Sequence, residues 1–462
     1  MKTLKSVLSA TLQKSVGVAV LAATPLLTMV SVDALAVDGI APANASPLQP
    51  AEQRPDPRRL PGLPQSFIED YSEITSTMEP SEEQIAEGAK ADPAKAFQMA
   101  KEMEREAGEL NPYAKAMLFQ VLGQLYYERE DMPNTIKYFE MVVAQSPNLP
   151  VGTEAQFYYF LGQLYAQEEN ETKAVEYLER WSKMVTMISA TQYATLAQIY
   201  YGAEQHDKAL ANMQQAVKMY ESEGKVPREE WLSFLRALYF FKEDYKSTLA
   251  VVTELVRLYP KMSYWSQLAS LYYELGQLDN YYRTMDSMYV MGGLKKENEL
   301  KGLAGHFIEN DAPYKAAKVL DKGINQDKIV EPTATNLELL ANSWRLAQET
   351  EKALVEMKRA AAKAEDGDLY FNLSRLLFAR DEFDASVSAA ENALSKGGLS
   401  RPDSVYLTIG QAELARNNFD AAIDAFKKAS RDKRSQKFAS QWITYAEGEK
   451  KRQDALKNSD EG

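Results

Sequence analysis

Apolar residues along this chain recur three and four positions apart, the spacing that lines one face of an α-helix. In SYWSQLASLYYELGQLDNYY, from Ser263 to Tyr282, the residues Trp265, Leu268, Ala269 and Tyr272 form such a face. The pattern returns. VLGQLYY holds Leu122, Gly123 and Tyr126, FLGQLYA holds Leu161, Gly162 and Tyr165, and TLAQIYY holds Leu196, Ala197 and Tyr200. Further copies are anchored at Leu235, Leu268, Leu303, Leu340, Leu373 and Ile409, so successive anchors lie roughly 33 to 39 residues apart. About a dozen residues past an anchor a second helical segment begins with a small residue, as at Ala174, Ala209, Ala316, Ala353 and Ala422. Pro147 and Pro260 stop two of these second segments. The periodicity predicts a stack of helix pairs in which the small residue after each anchor lets two helices approach closely and the large residue beyond it fills the space against the next.

This pattern resembles the tetratricopeptide repeat, a helix-turn-helix unit of about 34 residues. The resemblance covers residues 113–430 and implies an all-α, right-handed superhelical solenoid of about nine helix pairs. Departures concentrate in the middle and at the end. Thr248 and Tyr281 replace the expected alanine, Arg236 stands where a small residue is usual, and Glu413 replaces the aromatic of the last unit. Residues 67–112 predict N-terminal helices that form a degenerate first unit. Residues 431–462 predict a capping helix with Phe438, Trp442 and Tyr445 on one stripe, followed by a disordered tail.

The two ends of the chain carry different signals. Lys2, Lys5 and Lys14, then the apolar run Val16–Val30 and Ala34-Leu35-Ala36, make residues 1–36 a cleavable signal peptide of bacterial export type, with a periplasmic product expected and no stable membrane insertion after cleavage. Residues 37–66 hold seven prolines and predict a disordered, proline-rich linker. The chain has no cysteine, which excludes disulfides and thiolate chemistry in an oxidising compartment. Its formal charge of −13 makes nucleic acid an unsuitable partner.

Catalytic chemistry finds little material. There are two histidines, His206 and His306, far apart in the chain, and none of the HExxH, GxSxG or phosphate-cradling patterns. The sequence therefore predicts a protein that is not an enzyme and takes no cofactor or metal, and binding is the better supported class. In the tetratricopeptide family the positions two before, two after and five after each anchor face the inner groove. Read off this chain, that rule selects Gln120, Gln124, Tyr127, Tyr159, Gln163, Gln198, Tyr201, Phe240 and Tyr273 as a partner groove. Such an uncharged surface of amides and rings suits a peptide backbone, although the same tyrosines also suit packing between units. Arg345, Arg375 and Phe378 occupy the corresponding C-terminal positions. Lys427, Lys428, Arg431, Lys433, Arg434 and Lys437 form a basic cluster, either a docking patch for an acidic partner or anionic surface, or a solvated face.

The runs RWSKMVTMISATQYATLAQIYY, LVRLYPKMSYWSQLASLYYELGQ and DSMYVMGGL, within Arg180–Gly293, resemble exported tetratricopeptide proteins encoded beside TonB-ExbB-ExbD systems in Gram-negative bacteria. That resemblance implies an accessory of TonB-dependent uptake, with periplasmic regions of TonB or ExbD as partners. A scaffold for outer-membrane or cell-wall assembly, and a noncatalytic regulator of an envelope hydrolase, are the competing readings.

Overall fold

The computed structural model describes residues 40–460, so the signal-peptide reading of residues 1–36 lies outside the described residues. All regular structure among the described residues is helical. The chain divides into two compact units, Met1–Leu271 and Tyr272–Gly462. In the first, α1 (Gln65–Met78), α2 (Glu82–Ala86) and α3 (Pro93–Arg105) precede the pairs α4 (Pro112–Tyr127) with α5 (Met132–Val143), α6 (Val151–Gln167) with α7 (Glu171–Ser182), α8 (Ala190–Gly202) with α9 (His206–Ser222), and α10 (Glu229–Phe241) with α11 (Tyr245–Leu258). The boundary between the units falls inside α12 (Met262–Glu274). The second continues with α13 (Leu278–Val290), α14 (Glu297–Glu309) with α15 (Pro313–Asp321), α16 (Ala334–Leu346) with α17 (Thr350–Lys363), α18 (Asp368–Phe378) with α19 (Phe383–Lys396), α20 (Pro402–Ala415) with α21 (Phe419–Ala429), and α22 (Gln436–Asp460).

One backbone feature repeats in register with the anchors. At a constant distance past each anchor the turn between paired helices has a residue in the left-handed region: Glu130, Glu169, Glu204, Glu243, Gly276, Asp311, Gln348, Asp381 and Asn417. A tight reversal after a helix needs positive φ there. Only the turn at Gly276 uses glycine, so the other eight bear a small steric cost that the packing on either side must offset.

The close approach predicted at the small positions is real. A Cβ on Gly123 would stand 2.4 Å from the Phe139 ring, and on Gly410 2.4 Å from the Phe426 ring. Gly305 on α14 faces open space. The same substitution therefore has opposite signs at the two kinds of site. We expect Gly123→Ala to lower unfolding stability by about 1–2 kcal/mol, overpacking exceeding the gain in helix propensity. Gly305→Ala should raise it by about 0.5–1 kcal/mol; urea titrations of the two variants check both signs.

Part of the tyrosine surplus stacks within pairs and reaches back to the helix before. Tyr126 stacks on Tyr138 at 5.2 Å, and Tyr165 on Tyr177 at 5.6 Å, the same two positions one pair apart. The hydroxyls then find carboxylates of the preceding helix pair. Tyr138 donates to Glu104 at 2.6 Å and Tyr177 to Glu140 at 3.0 Å. Burial, then the hydrogen bond to Glu104, pushes the Tyr138 hydroxyl up to about 12. Because Glu104 lies on α3, that helix plays the part of a second helix of a pair, with Ala96 and Ala100 fully buried.

The departures have local explanations. Arg236 runs along the core to donate to Gln267 at 2.6 Å, joining α10 to α12, while burial holds its guanidinium below its usual range. Thr248 is buried and its hydroxyl returns to the Asp244 carbonyl at 2.8 Å. Glu413 is buried and pairs with Arg416 at 3.0 Å.

Residues 40–64 depart from the expectation of a solvated linker. They form an extended strap on the first unit. The Ala51 amide donates to the Ser182 and Val185 carbonyls at 2.9 and 2.8 Å, Arg58 pairs with Glu154, and Asn111 donates to the Gly62 carbonyl at 2.8 Å. Proline richness removes some donors but leaves every carbonyl and the remaining amides free for side chains of the solenoid. The C-terminal helix also runs further than the reading of a disordered tail implies, to Asp460.

Glu221, near the end of α9, adds a pH dependence. Burial first, then the charge of Glu254, raise its carboxyl to about 7, with Arg257 opposing. Since the folded value exceeds the unfolded one, its contribution is most favourable below about pH 4.3 and is lost as pH rises through 7. Glu221→Gln should raise stability at pH 8 by on the order of 1 kcal/mol after solvent screening and change it little near pH 4.5. Melting curves at the two pH values read this directly.

Candidate functional site

The first helices of the last two complete pairs, α18 and α20, present one face to a concavity that α22 closes at its end. Two connected hollows result. The larger, about 870 Å³, lies between Phe378, Gln411, Leu414 and Ala415 on one side and Phe438, Gln441, Trp442, Tyr445 and Glu449 of α22 on the other, with Asn417 and Phe419 at its edge. The second, about 600 Å³, runs on from Gln411 and Phe438 to Phe371, Arg375, Arg401 and Leu407. Phe371, Arg375 and Phe378 stand two before, two after and five after the anchor Leu373, and Leu407, Gln411 and Leu414 stand likewise around Ile409. The positional rule for the inner face thus selects six lining residues from these two helices.

The cap turns an open face into a cleft. Trp442 stacks on the fully buried Phe426 at 5.7 Å with its plane tilted 18°, which docks α22 onto α21. Phe438 and Tyr445 meet Trp442 edge-on at 5.9 and 5.8 Å but remain 46% and 54% exposed. The aromatic stripe, expected as cap packing, therefore divides: its middle ring anchors the helix and the outer two line the cleft.

Asp403 fixes the start of this arrangement. Its buried carboxylate accepts two hydrogen bonds from Arg401, at 3.0 and 2.7 Å, one from Ser435 at 2.6 Å and one from Arg434 at 3.3 Å. The Arg401 hydrogen bond is the largest of the effects holding the Asp403 carboxyl far below its usual range. Ser435 immediately precedes α22, so this carboxylate ties the cap to the N-terminus of α20. It also occupies the Arg401 guanidinium. Arg375 differs: among the described residues it makes no ion pair, and its only ring contact is with Phe371 at 5.9 Å. Gln411 and Gln441 likewise have no side-chain hydrogen bond among the described residues. A free guanidinium, two free amides and two exposed rings in one cleft can take a segment bearing an acidic group and apolar anchors.

The groove residues expected in the first unit are placed variously. Gln120, Gln124, Tyr127 and Gln163 are half-buried, and Gln198 is exposed. Tyr159 packs on Trp181 at 4.7 Å, Tyr201 meets Phe234 edge-on at 5.4 Å, and Phe240 meets Tyr245 at 6.0 Å. Tyr273, in the second unit, is 59% exposed and rests one side on Tyr281 at 5.4 Å. In the basic cluster all six side chains are exposed, but Lys428 is tied to Asp424 at 2.8 Å and Arg434 to Asp432 at 2.7 Å. Lys427, Arg431, Lys433 and Lys437 have no ion pair among the described residues and form a positive ridge at the α21–α22 turn. No group of acidic or histidine side chains there or elsewhere among the described residues is arranged to hold a metal ion. No described helix is long and apolar enough to cross a membrane.

Family models of the tetratricopeptide repeat match residues 371–437, which run from α18 to the start of α22, and residues 155–180 in the first unit. The chain thus carries tetratricopeptide repeats in both units. Comparison with curated proteins gives no match. Among solved structures, a tetratricopeptide repeat protein from Parabacteroides merdae is 15% identical over 57% of this chain and 99% of its own, with a TM-score of 0.31. The MamA protein is 20% identical over 38% of this chain and 93% of its own, with a TM-score of 0.31. A chain of the Cut9-Hcn1 assembly is 14% identical over 82% and 84%, with a TM-score of 0.27.

Proposed function

We propose that this protein is an exported scaffold that holds a segment of a protein partner in the cleft between α18, α20 and α22. One observation carries the reading: the unpaired Arg375, the free amides of Gln411 and Gln441, and the exposed rings of Phe438 and Tyr445 line two adjoining hollows that share Gln411 and Phe438. The ridge of Lys427, Arg431, Lys433 and Lys437 at the end of the same unit favours an acidic partner and speeds its approach. Ordering a flexible segment costs about 1–2 kcal/mol per residue, so a few apolar anchors must offset it, and micromolar affinity, about −8 kcal/mol, is expected.

The finer reading is an accessory of a TonB-dependent uptake system in the periplasm, with TonB or ExbD supplying the segment. Its support is the likeness of the runs within Arg180–Gly293 to exported proteins of such systems, together with the signal-like residues 1–36. Purification of the tagged full-length chain from crosslinked cells tests it. Recovery of TonB or ExbD supports the assignment, whereas recovery of envelope-assembly factors or of a cell-wall hydrolase gives the scaffold to one of those tasks instead.

A further inference from the structure

The start of the strap sits in a slot built for a peptide backbone. The Ala41 amide donates to the Ser247 hydroxyl at 2.9 Å, and the Ala43 amide to the Gln214 side-chain oxygen at 3.0 Å. The Ala41 carbonyl accepts from the Gln214 amide and from the Tyr239 hydroxyl, both at 2.8 Å. Further along, the Leu48 amide donates to Asn212 at 3.1 Å. One glutamine thus reads both a carbonyl and an amide of the same strand edge. None of these contacts involves a strap side chain. Along the strap, Ala43, Ala45 and Pro47 are half-buried while Pro42, Asn44 and Ser46 face solvent, the alternation of an extended chain with one face down.

The receptor residues are exceptions within the repeat. Counted from their anchors, Tyr138, Tyr177 and Asn212 hold one position, and Glu140, Glu179 and Gln214 another. In the earlier pairs that acid serves the solenoid itself: Glu140 accepts from both Tyr165 and Tyr177, and Glu179 accepts from Lys208 at 3.4 Å. At the third pair the ring becomes an amide and the acid becomes an amide. The change supplies a group that donates and accepts at once, which an extended backbone requires and a carboxylate does not provide. Asn212 and Ser247 are fully buried, yet their free lone pairs point to the strap rather than to the solenoid.

We infer that the slot formed by Asn212, Gln214, Tyr239 and Ser247 is a second binding site, for an extended proline-containing segment with small residues at alternate positions, and that residues 41–48 are its resident occupant. Recognition through backbone groups tolerates any sequence of that shape, and proline lowers the entropic cost because its ring fixes φ and leaves the free chain already extended. A partner segment of the same chemistry exchanges with the strap. The inference goes beyond the C-terminal cleft and stands separately from it, since every group in it lies in the first unit.

The test uses the full chain carrying Ala41→Pro and Ala43→Pro, which removes the two amide donors and loosens the strap. A fluorescent peptide of residues 40–51 is titrated by anisotropy, with circular dichroism confirming unchanged helix content. We expect micromolar binding to the loosened chain, at least tenfold weaker binding to the wild type whose slot is occupied, and at least tenfold loss when Gln214→Ala is added. Binding that is equal in all three chains, or absent from all three, overturns the inference. A loosened chain that dimerises in proportion to concentration would give the slot to a second copy and overturn the assignment to a partner segment.

Discussion

Phe426→Ala is expected to lower the stability of the C-terminal unit by about 3–5 kcal/mol, the largest effect of any single substitution considered. The side chain is fully buried, and it does two jobs. Its edge fills the space left by Gly410, where even a methyl group would collide at 2.4 Å, so truncation leaves a cavity between the helices of the last pair. Its face carries Trp442, so truncation also undocks α22. Thermal or urea unfolding followed by far-ultraviolet dichroism measures the loss. Trp442→Ala, which keeps the Phe426 core and removes only the docking ring, should cost less than Phe426→Ala. Equal stability of Phe426→Ala and wild type would contradict the packing described.

Arg375→Glu carries the largest expected effect on binding. The guanidinium is the one unpaired cation among the described residues lining the cleft, and reversing it places like charges opposite an acidic segment. Affinity for the captured partner should fall by about 10- to 100-fold, or 1.4–2.8 kcal/mol, while the melting temperature stays within about one degree. Arg401→Glu is no substitute for this test, because Arg401 is bound to the buried Asp403 and its reversal would unseat the cap. An unchanged affinity in Arg375→Glu would remove the acidic group from the description of the partner.

The helix-pair array was legible because its causes are local and periodic. Anchors, small residues and turn positions recur in one register, and the left-handed turn residues recur in the same register although their identities vary from glutamate to glycine. The inner-face rule was equally legible, and the lining residues Phe371, Leu407, Gln411 and Leu414 follow from applying it to the last two anchors. What a helical stripe cannot reveal is how an overhanging cap divides its own rings. Phe438, Trp442 and Tyr445 look equivalent along the sequence, yet only Trp442 meets a core residue.

The strap was hidden for a different reason. Seven prolines within residues 37–66 describe the chain's own backbone and say nothing of a receptor elsewhere. The receptor signal lay in the repeat alignment, where Asn212 and Gln214 interrupt positions held by Tyr138 and Tyr177, and by Glu140 and Glu179. Asn212 is buried and Gln214 half-buried, so their polar groups require partners, and here no helix of the solenoid supplies them all.

The most direct test of the central claim places a photoreactive amino acid at Phe438 or Gln411 in the full-length chain in living cells, with exposed Glu391 on α19 as the control. The account predicts capture of one and the same partner protein from both cleft positions, mapped to a short acidic segment of that partner, and none from Glu391. Capture from Glu391 alone, or equal capture from all three positions, would contradict a partner held in this cleft.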